Sequence, residues 1–252
     1  GIKMREKSID KWKNKHWTKH AREILNGIRK FSKNAKIGVI LRHSHRYAIK
    51  SAQQGSDAGL TPMGIEFAKY FGRNLPKDRP LRLYHSIVDR CKDTAHHIHS
   101  AHRQTARNKS VEGTLKPLYD LRADGVFVTK EMMTHGSRKF LERWKNGEYS
   151  ASELLPFEIY CLNAAKELWK ILKNAQERCL VLFITHDLHL LSMRLGWFGM
   201  QPGEEWVSYL GGFAFSLEEN HIAFFERDII NRIKYPPWAV ELDNIIKYKG
   251  GE

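Results

Sequence analysis

Two short apolar runs, each ending in a histidine, constrain the fold of this chain most. Residues 36–43 have the sequence KIGVILRH, and residues 179–186 have the sequence CLVLFITH. Short runs rich in β-branched residues and bounded by polar segments are typical of strands buried on both faces of a sheet. Such a sheet needs helices on both sides to cover it. The two runs therefore predict the centre of an α/β domain.

Segments with helical spacing alternate with these strands. Residues 60–75, LTPMGIEFAKYFGRNL, begin with Thr61 as an N-cap and Pro62 at the first helical position. Residues 81–86, LRLYHS, predict another strand, residues 87–104 a helix, and residues 212–227 a β-hairpin. Strands that alternate with helices predict a three-layer α/β/α sandwich with a mostly parallel central sheet.

The N-terminal region carries most of the excess positive charge. The 252 residues have a net charge of +14, of which residues 1–36 contribute +9 from twelve Lys or Arg against three acidic residues. Residues 17–31, WTKHAREILNGIRKF, place apolar side chains at helical spacing. We therefore expect a basic N-terminal helical extension over residues 1–35 and one domain over residues 36–252. The helix either packs on the domain with a solvated basic face, or binds weakly to anionic surfaces through residues 1–36, with no obligatory nucleic acid.

Several classes of protein are disfavoured by what the chain lacks. No apolar run approaches the roughly 20 residues of a membrane-spanning helix. The three cysteines are far apart and form no CxxC pair, which disfavours a disulfide framework and favours a reducing cytoplasm. His99 and His102 have a spacing that metal ligands use, but no cysteine or carboxylate pair accompanies them. Since there is also no glycine-rich nucleotide loop, we expect no metal and no other cofactor.

Basic and imidazole side chains follow the predicted strands. Arg42 and His43 end the first strand, Arg90 comes shortly after the second, and His186 and Asp187 follow the last. Ligands of open α/β sheets bind beyond the carboxyl ends of the strands, so we expect these side chains to share one site.

Phosphoryl transfer is the chemistry that this set of side chains fits. Neutral His43 is a competent nucleophile, and nearby arginines favour the neutral form by lowering its pKa. His186 is placed to donate to a phosphoryl oxygen, and Asp187 to protonate the leaving alcohol. Such a reaction needs mainly positioning and charge neutralisation, which require no metal here. Planar guanidinium forks that match phosphate oxygens come from Arg42, Arg46 and Arg90.

The order of these motifs resembles the histidine phosphatase superfamily, also called phosphoglycerate mutase-like. That family has Arg-His-Gly after its first strand, then Leu-Thr-x-x-Gly, then Ser followed by Arg and Thr-Ala, and finally Thr-His. The matching residues between positions 36 and 200 are Arg42-His43-Ser44, Leu60-Thr61 with Gly64, Ser86 with Arg90 and Thr94-Ala95, and Thr185-His186. The resemblance implies the family's α/β fold, a phosphohistidine intermediate on His43, and a cap inserted over the site at about residues 123–160.

Details of the motifs bear on the branch of the family. Arg46, three residues after His43, and Asp187, directly after His186, are similar to the acid phosphatase branch, in which that aspartate donates the proton. The mutase-like branch places an acidic donor after the Thr-Ala helix, where Asp120 lies with Glu112 and Asp124 nearby.

Two further positions carry expectations of their own. Ser44 replaces the family glycine, so it adds a Cβ at a tight turn and a hydroxyl that is able to donate to phosphate. In residues 123–160, aromatic residues alternate with basic ones; we expect the aromatics to form the core of the cap and one or two cations to face the substrate.

The leading hypothesis is a metal-independent phosphomonoester hydrolase that acts on a small phosphorylated substrate. A phosphomutase or a protein-phosphohistidine phosphatase of the same superfamily is the first alternative. The second is a phosphate-sensing or anion-binding module with little turnover, in which the basic N-terminal helix is the functional part.

Overall fold

The centre of the protein is a seven-stranded sheet of order β3-β2-β4-β1-β5-β6-β7. The computed structural model describes residues 11–242. The strands are β1 (Ile37–Arg42), β2 (Leu81–His85), β3 (Lys109–Thr114), β4 (Leu180–Thr185), β5 (Gly212–Leu217), β6 (Ile222–Glu226) and β7 (Ile229–Ile233).

The sheet is mixed rather than mostly parallel. Strands β3, β2, β4 and β1 run parallel to one another, whereas β5 pairs antiparallel with β1, β6 with β5, and β7 with β6. Short turns join β5 to β6 and β6 to β7, so these strands have to reverse direction at each step. Arg227 and Asp228, between β6 and β7, both have positive φ, as a two-residue hairpin turn requires. The predicted hairpin in residues 212–227 is confirmed.

Helices cover both faces of the sheet and confirm the predicted three-layer α/β/α sandwich. Side chains of β1 and β4 alternate between the two cores: Ile40 and Phe183 belong to one, and Val39 and Leu182 to the other. The helices are α1 (Lys19–Ile28), α2 (Pro62–Asn74), α3 (Asp89–Ala101), α4 (Gly125–His135), α5 (Ser137–Lys145), α6 (Phe157–Asn174) and α7 (Asp187–Phe198). Helices α1, α2 and α3 contribute to one core, and α5, α6 and α7 to the other.

The N-terminal helix packs on the domain. Ala21, Ile24, Leu25 and Ile28 on one side of α1 are buried in the same core as α2 and α3. Trp12 is only 2% exposed and lies against Phe67 of α2, with ring centroids 4.9 Å apart. None of the helices in residues 11–242 has the length and apolarity that a membrane span requires.

Candidate active site

The carboxyl ends of β1, β2 and β4 meet at one edge of the sheet. Arg42, the last residue of β1, is in register with Thr185, the last residue of β4, so the residues that follow, His43 and His186, are neighbours. Their ring centroids are 5.6 Å apart. The structure thus brings together the histidines that the sequence predicted to share a site.

His43 is held as a neutral imidazole with one free lone pair. Its side chain is buried, and its Nδ1 is 2.8 Å from the carbonyl oxygen of Ser44. Because a carbonyl only accepts, Nδ1 carries the proton and Nε2 carries the lone pair. Burial first, and then the positive charges of Arg42 and Arg90, hold the pKa of His43 well below its usual 6.5. This is the protonation state that a nucleophilic histidine needs.

Ser44 secures the loop that carries His43. Its hydroxyl donates to the carbonyl oxygen of Gly64 at 2.7 Å, and its N–H donates to Thr94 Oγ1 at 3.0 Å. The expectation that this hydroxyl donates to phosphate is therefore wrong, since the proton is committed to helix α2. Gly64 is required at the contact, because a Cβ there would lie 2.0 Å from the His45 carbonyl oxygen.

Arg90 connects the two histidines. Its Nε donates to His43 Nε2 at 3.3 Å, and its Nη2 is 3.5 Å from His186 Nδ1. The third nitrogen, Nη1, donates to the carbonyl oxygen of Gly55 at 2.8 Å, which fixes the guanidinium plane. The side chain is buried, so the fork faces the two imidazoles in surroundings where its charge is poorly screened.

The other two arginines differ in position. Arg46 lines the cavity in front of His43, and its Nη1 donates to the carbonyl oxygen of Tyr47 at 2.9 Å. Arg42 does not line the cavity: its guanidinium lies 4.5 Å from the centroid of the Tyr209 ring and donates to the carbonyl oxygen of Val207. Its buried Nε finds no hydrogen-bond partner among residues 11–242.

His186 is oriented by Ser86. His186 Nε2 is 2.9 Å from Ser86 Oγ, and the same hydroxyl oxygen accepts the backbone N–H of Val88 at 3.1 Å. Burial and then the neighbouring His189, Arg90 and His43 keep the pKa of His186 well below 6.5. Two uncharged imidazoles next to a fixed guanidinium form a site for an oxyanion.

Asp187 is a partly buried carboxylate that lines the cavity. Burial raises its pKa, but the surrounding groups lower it by more. The largest effect is that of Arg42, whose Nη2 is 3.7 Å from Oδ2, followed by the Trp206 indole N–H, which donates to Oδ2 at 2.8 Å. The Leu188 N–H and His186 contribute less. The net result is a pKa of about 2. Asp187 is therefore charged at neutral pH while the site holds no substrate.

Of the three other acidic residues considered as proton donors, two line the cavity and one does not. Asp120 lines the cavity and is exposed, and its Oδ1 accepts the backbone N–H of Arg122 at 2.8 Å. Asp124 also lines the cavity, but its carboxylate caps helix α4 through the N–H of Val126. Glu112 lies on the edge strand β3, 3.7 Å from Arg82, and does not line the cavity.

His189 is a site residue that the motif search missed. It lies one turn after His186 on α7, lines the cavity, and donates from Nε2 to the carbonyl oxygen of Tyr119 at 2.9 Å. Burial lowers its pKa from 6.5 to about 4 against the opposing effects of Tyr119 and Asp187. Its i, i+3 spacing from His186 was the signal that could have found it. Trp206 and Tyr209 lie in the loop before β5, where no motif marks them.

The histidines at the C-terminal end of α3 do not line the cavity, although Arg90 at the start of the same helix does. His99 is 3.4 Å from the Lys109 carbonyl oxygen, and His102 is 3.1 Å from that of Pro76. Within residues 11–242, no group of three or more histidine, cysteine, aspartate or glutamate side chains is arranged to hold a metal ion.

A sheet edge with two uncharged histidines bridged by an arginine defines a class of α/β proteins built for phosphoryl chemistry. The model of the histidine phosphatase superfamily (branch 1) matches residues 39–212. The chain therefore belongs to the histidine phosphatase superfamily, and membership supports a phosphatase or mutase activity. Because the matching model is that of branch 1, the acid phosphatase branch is not confirmed.

Solved structures share the fold at low sequence identity. YhfR from Bacillus stearothermophilus is 16% identical with a TM-score of 0.52, covering 77% of this chain and 98% of its own. A mycobacterial glucosyl-3-phosphoglycerate phosphatase is 14% identical with a TM-score of 0.52, and the match covers 80% of this chain and 98% of the phosphatase. Phosphoserine phosphatase from Entamoeba histolytica, solved with 3-phosphoglyceric acid, is 16% identical with a TM-score of 0.51, covering 77% and 96%. A search of curated protein sequences finds no match.

Proposed function

We propose that this protein hydrolyses phosphate monoesters through a phosphohistidine intermediate on His43. The observation that supports this most is the state of His43: a buried, neutral imidazole whose Nε2 lone pair faces the guanidinium of Arg90 at 3.3 Å. Nε2 attacks phosphorus, the bond from phosphorus to the ester oxygen breaks, and the alcohol leaves with a proton from an acidic residue. The carboxylate left by that acid then accepts a proton from a water molecule, whose oxygen attacks the phosphorus. The bond from phosphorus to Nε2 breaks, which releases phosphate and restores both His43 and the acid.

Positive charge and hydrogen-bond donors stabilise the phosphoryl group in this proposal. Arg90 is central because it already lies between the two imidazoles, and Arg46 adds a second guanidinium on the cavity wall. Arg42 does not line the cavity but adds positive charge near His43, and its buried Nε has no hydrogen-bond partner among the described residues. In the free protein Arg90 Nη2, which only donates, lies 3.5 Å from His186 Nδ1, so that nitrogen accepts. His186 donates from Nδ1 to a bound phosphoryl oxygen once Ser86 donates its hydroxyl proton to Nε2, a tautomer that their 2.9 Å contact permits.

Asp187 and Asp120 are the two candidates for the proton donor. Asp187 adjoins His186, but the charge of Arg42 and the Trp206 N–H favour its carboxylate form. A bound phosphate dianion offsets that positive charge and raises the pKa of Asp187, which makes it a better acid in the complex than in the free protein. Asp120 also lines the cavity, and its side chain is exposed to solvent.

The intermediate can be detected directly. Rapid quenching of the enzyme during turnover of a phosphate ester, followed by mass spectrometry under alkaline conditions, is expected to find phosphate on His43. His43→Ala is expected to abolish turnover and retain the fold, because the residue follows β1 and is not part of either hydrophobic core. Phosphate on any other residue would contradict the mechanism.

A phosphomutase uses the same intermediate but returns the phosphoryl group to an alcohol. The ratio of inorganic phosphate released to ester consumed separates the two activities. We expect a ratio close to one, since hydrolysis transfers every phosphoryl group to water.

A further inference from the structure

The cavity above His43 is much larger than a phosphate group. Its volume is about 920 Å³, near the upper end of the roughly 300–1,000 Å³ typical of pockets for drug-sized ligands. His43, Arg46, Arg90 and His186 occupy one part of its wall. The remaining space is therefore available to the alcohol portion of the ester.

Helix α4 forms an apolar wall of this cavity. Val128 and Met132, four residues apart, line it from one side of the helix, and Val126 and Met133, seven residues apart, line it from the adjacent side. Val128 and Met132 are partly buried against the hydrophobic core, whereas Val126 and Met133 are exposed. The helix thus presents apolar side chains to the cavity that its packing against the core leaves partly uncovered.

The loop after His43 forms the facing wall. It contributes Tyr47, Ala48, Ile49 and Ala52, and the cavity lies between this loop and α4. The two elements touch where the helix passes Gly55: a Cβ on that glycine would lie 2.7 Å from Thr129 Oγ1.

Exposed apolar side chains collect at this cavity. Tyr47 is 56% exposed, Met133 is 55% exposed and Val126 is 37% exposed. Single exposed apolar residues are common on protein surfaces, but several that line one concave site mark a ligand or partner. Methionine adds to this, since its flexible side chain adapts to apolar ligands of different shape.

The charges on the cavity wall are arranged to receive a single anionic group. In the part of the chain that the structure describes, Arg46 and Arg90 are the only Lys or Arg side chains that line the cavity. The expectation that basic residues of the cap face the substrate is wrong. Arg138 donates instead to the carbonyl oxygens of Gly203 and Glu204, and Arg143 pairs with Glu148 at 3.3 Å.

The carboxylates of Asp120 and Asp124 lie on the same wall as the apolar side chains and oppose a second anionic group. A substrate with a further phosphate or carboxylate at this end would meet negative charge and no cation. The cavity therefore favours an uncharged alcohol.

We propose that the substrate is the phosphate monoester of an apolar alcohol, whose hydrocarbon portion lies between helix α4 and residues 47–52. This inference rests on the proposed function, because it assigns the leaving group of that reaction. Burial of hydrocarbon against Met132, Met133 and Ile49 supplies binding free energy, while Arg46 and Arg90 orient the phosphate.

A series of n-alkyl phosphates tests the proposal. We expect kcat/KM to rise by about fourfold for each methylene from ethyl to butyl, hexyl and octyl phosphate, the factor that corresponds to burying one such group. Glycerol 3-phosphate and 3-phosphoglycerate are expected to be poorer substrates than butyl phosphate.

Phosphatidylcholine vesicles that contain phosphatidic acid form a second arm of the experiment. Hydrolysis of phosphatidic acid in the vesicles as well as of the soluble esters indicates that the substrate is a membrane lipid. Hydrolysis of the soluble esters alone indicates a substrate free in solution.

Variants of the cap separate the apolar wall from the phosphate site. Met132→Gln with Met133→Gln is expected to flatten the dependence of kcat/KM on chain length from ethyl to octyl phosphate. Ile229→Gln is the matched control, because Ile229 is 58% exposed on β7 and does not line the cavity. It is expected to keep the wild-type dependence.

Binding of alkylphosphonates, measured by calorimetry, distinguishes failure of this inference from failure of the proposed function. Turnover with no gain from ethyl to octyl phosphate would overturn the apolar substrate and leave the hydrolase intact. An absence of turnover with phosphonate affinity that rises with chain length would overturn the hydrolase and support the apolar site. Neither turnover nor such a rise in affinity would overturn both.

Discussion

At the scale of single residues, the site depends on keeping three buried imidazoles uncharged. His43, His186 and His189 each have a pKa lowered chiefly by burial, and Arg90 adds to the effect at all three. The result is one fixed cation beside three bases, an arrangement that attracts an anion and leaves His43 free to attack it.

The stability of the fold is expected to fall as these histidines are forced to take up protons. Histidine in the unfolded chain titrates near pH 6.5, whereas folded His189 has a pKa of about 4. Between these values the unfolded chain binds the proton and the folded protein does not, so the free energy of unfolding decreases as pH falls through this window. His189 alone accounts for about 3 kcal/mol once the pH is below 4.

Urea unfolding at pH 7.5, 6.5, 5.5 and 4.5 measures this dependence. His189→Gln keeps a donor for the Tyr119 carbonyl oxygen but does not titrate, so we expect a shallower loss of stability with falling pH. A variant with the wild-type dependence on pH would show that His189 is not one of the groups responsible.

The choice of proton donor is also decided by single residues. Asp187→Asn is expected to slow the hydrolysis of an alkyl phosphate by roughly 10²–10⁴, the usual contribution of general acid catalysis, and to slow p-nitrophenyl phosphate much less. The reason is that p-nitrophenolate leaves readily without a proton. The asparagine keeps an oxygen that can accept from Trp206, so the change removes mainly the charge and the acid.

Asp120→Asn is the matched comparison for Asp187→Asn. We expect no dependence on the leaving group in this variant. If Asp120→Asn instead shows the selective loss and Asp187→Asn slows both substrates equally, Asp120 is the acid and Asp187 serves to hold Arg42 and Trp206.

At the scale of secondary structure elements, the contact between the end of β1 and the start of α2 sets the position of the nucleophile. Thr61 caps α2 by accepting the Gly64 N–H at 3.0 Å, and Ser44 donates to the Gly64 carbonyl oxygen at 2.7 Å. The backbone of Gly64 therefore makes hydrogen bonds both to the N-cap residue of α2 and to the loop that carries His43.

Removing the Ser44 hydroxyl is expected to lower stability without removing activity. Ser44→Ala leaves the buried Gly64 carbonyl oxygen without this donor, which costs about 1–3 kcal/mol in the free energy of unfolding. The rate per folded molecule is expected to stay close to wild type, since the hydroxyl does not face the phosphate. Ser100→Ala on the exposed face of α3 is the control, with an expected change below about 0.5 kcal/mol. A loss of kcat in Ser44→Ala at full stability would contradict this account.

At the scale of the whole molecule, the described part of the basic N-terminal segment, residues 11–35, contributes to the core; the predicted extension over residues 1–10 lies outside the described residues. Trp12 lies against Phe67 and Tyr70, and the Trp17 ring is 5.1 Å from the ring of His45 beside the cavity. His20 Nδ1 accepts the N–H of Ser208, so α1 also contacts the loop that carries Tyr209. The segment thus supports the wall of the site from behind.

Trp12→Ala is expected to destabilise the protein by about 3–5 kcal/mol, the usual cost of truncating a buried tryptophan. Lys13→Ala, at the neighbouring exposed position, is expected to leave the free energy of unfolding nearly unchanged. Denaturant unfolding of the two variants provides the measurement. Equal stability of both would show that residues 12–31 contribute only basic charge.

Local sequence was sufficient for the features that depend on a few adjacent residues. The apolar runs determined β1 and β4, Thr61 and Pro62 determined the start of α2, and the parallel direction of two strands placed His43 beside His186. These features follow from burial and backbone hydrogen bonding within each segment, so no knowledge of distant contacts was needed.

Tertiary structure alone decided the features that depend on which distant residues meet. The antiparallel half of the sheet arises where β5 pairs with β1. The charged state of Asp187 depends on Arg42, 145 positions away, and on Trp206, 19 positions away. His189 is uncharged because folding buries it, and its Nε2 proton is accepted by Tyr119, 70 positions away. The apolar wall exists because α4 and residues 47–52 line the same cavity and no residue of α4 is fully buried. Burial and charge pairing are properties of the surroundings in space, and only folding brings those surroundings together.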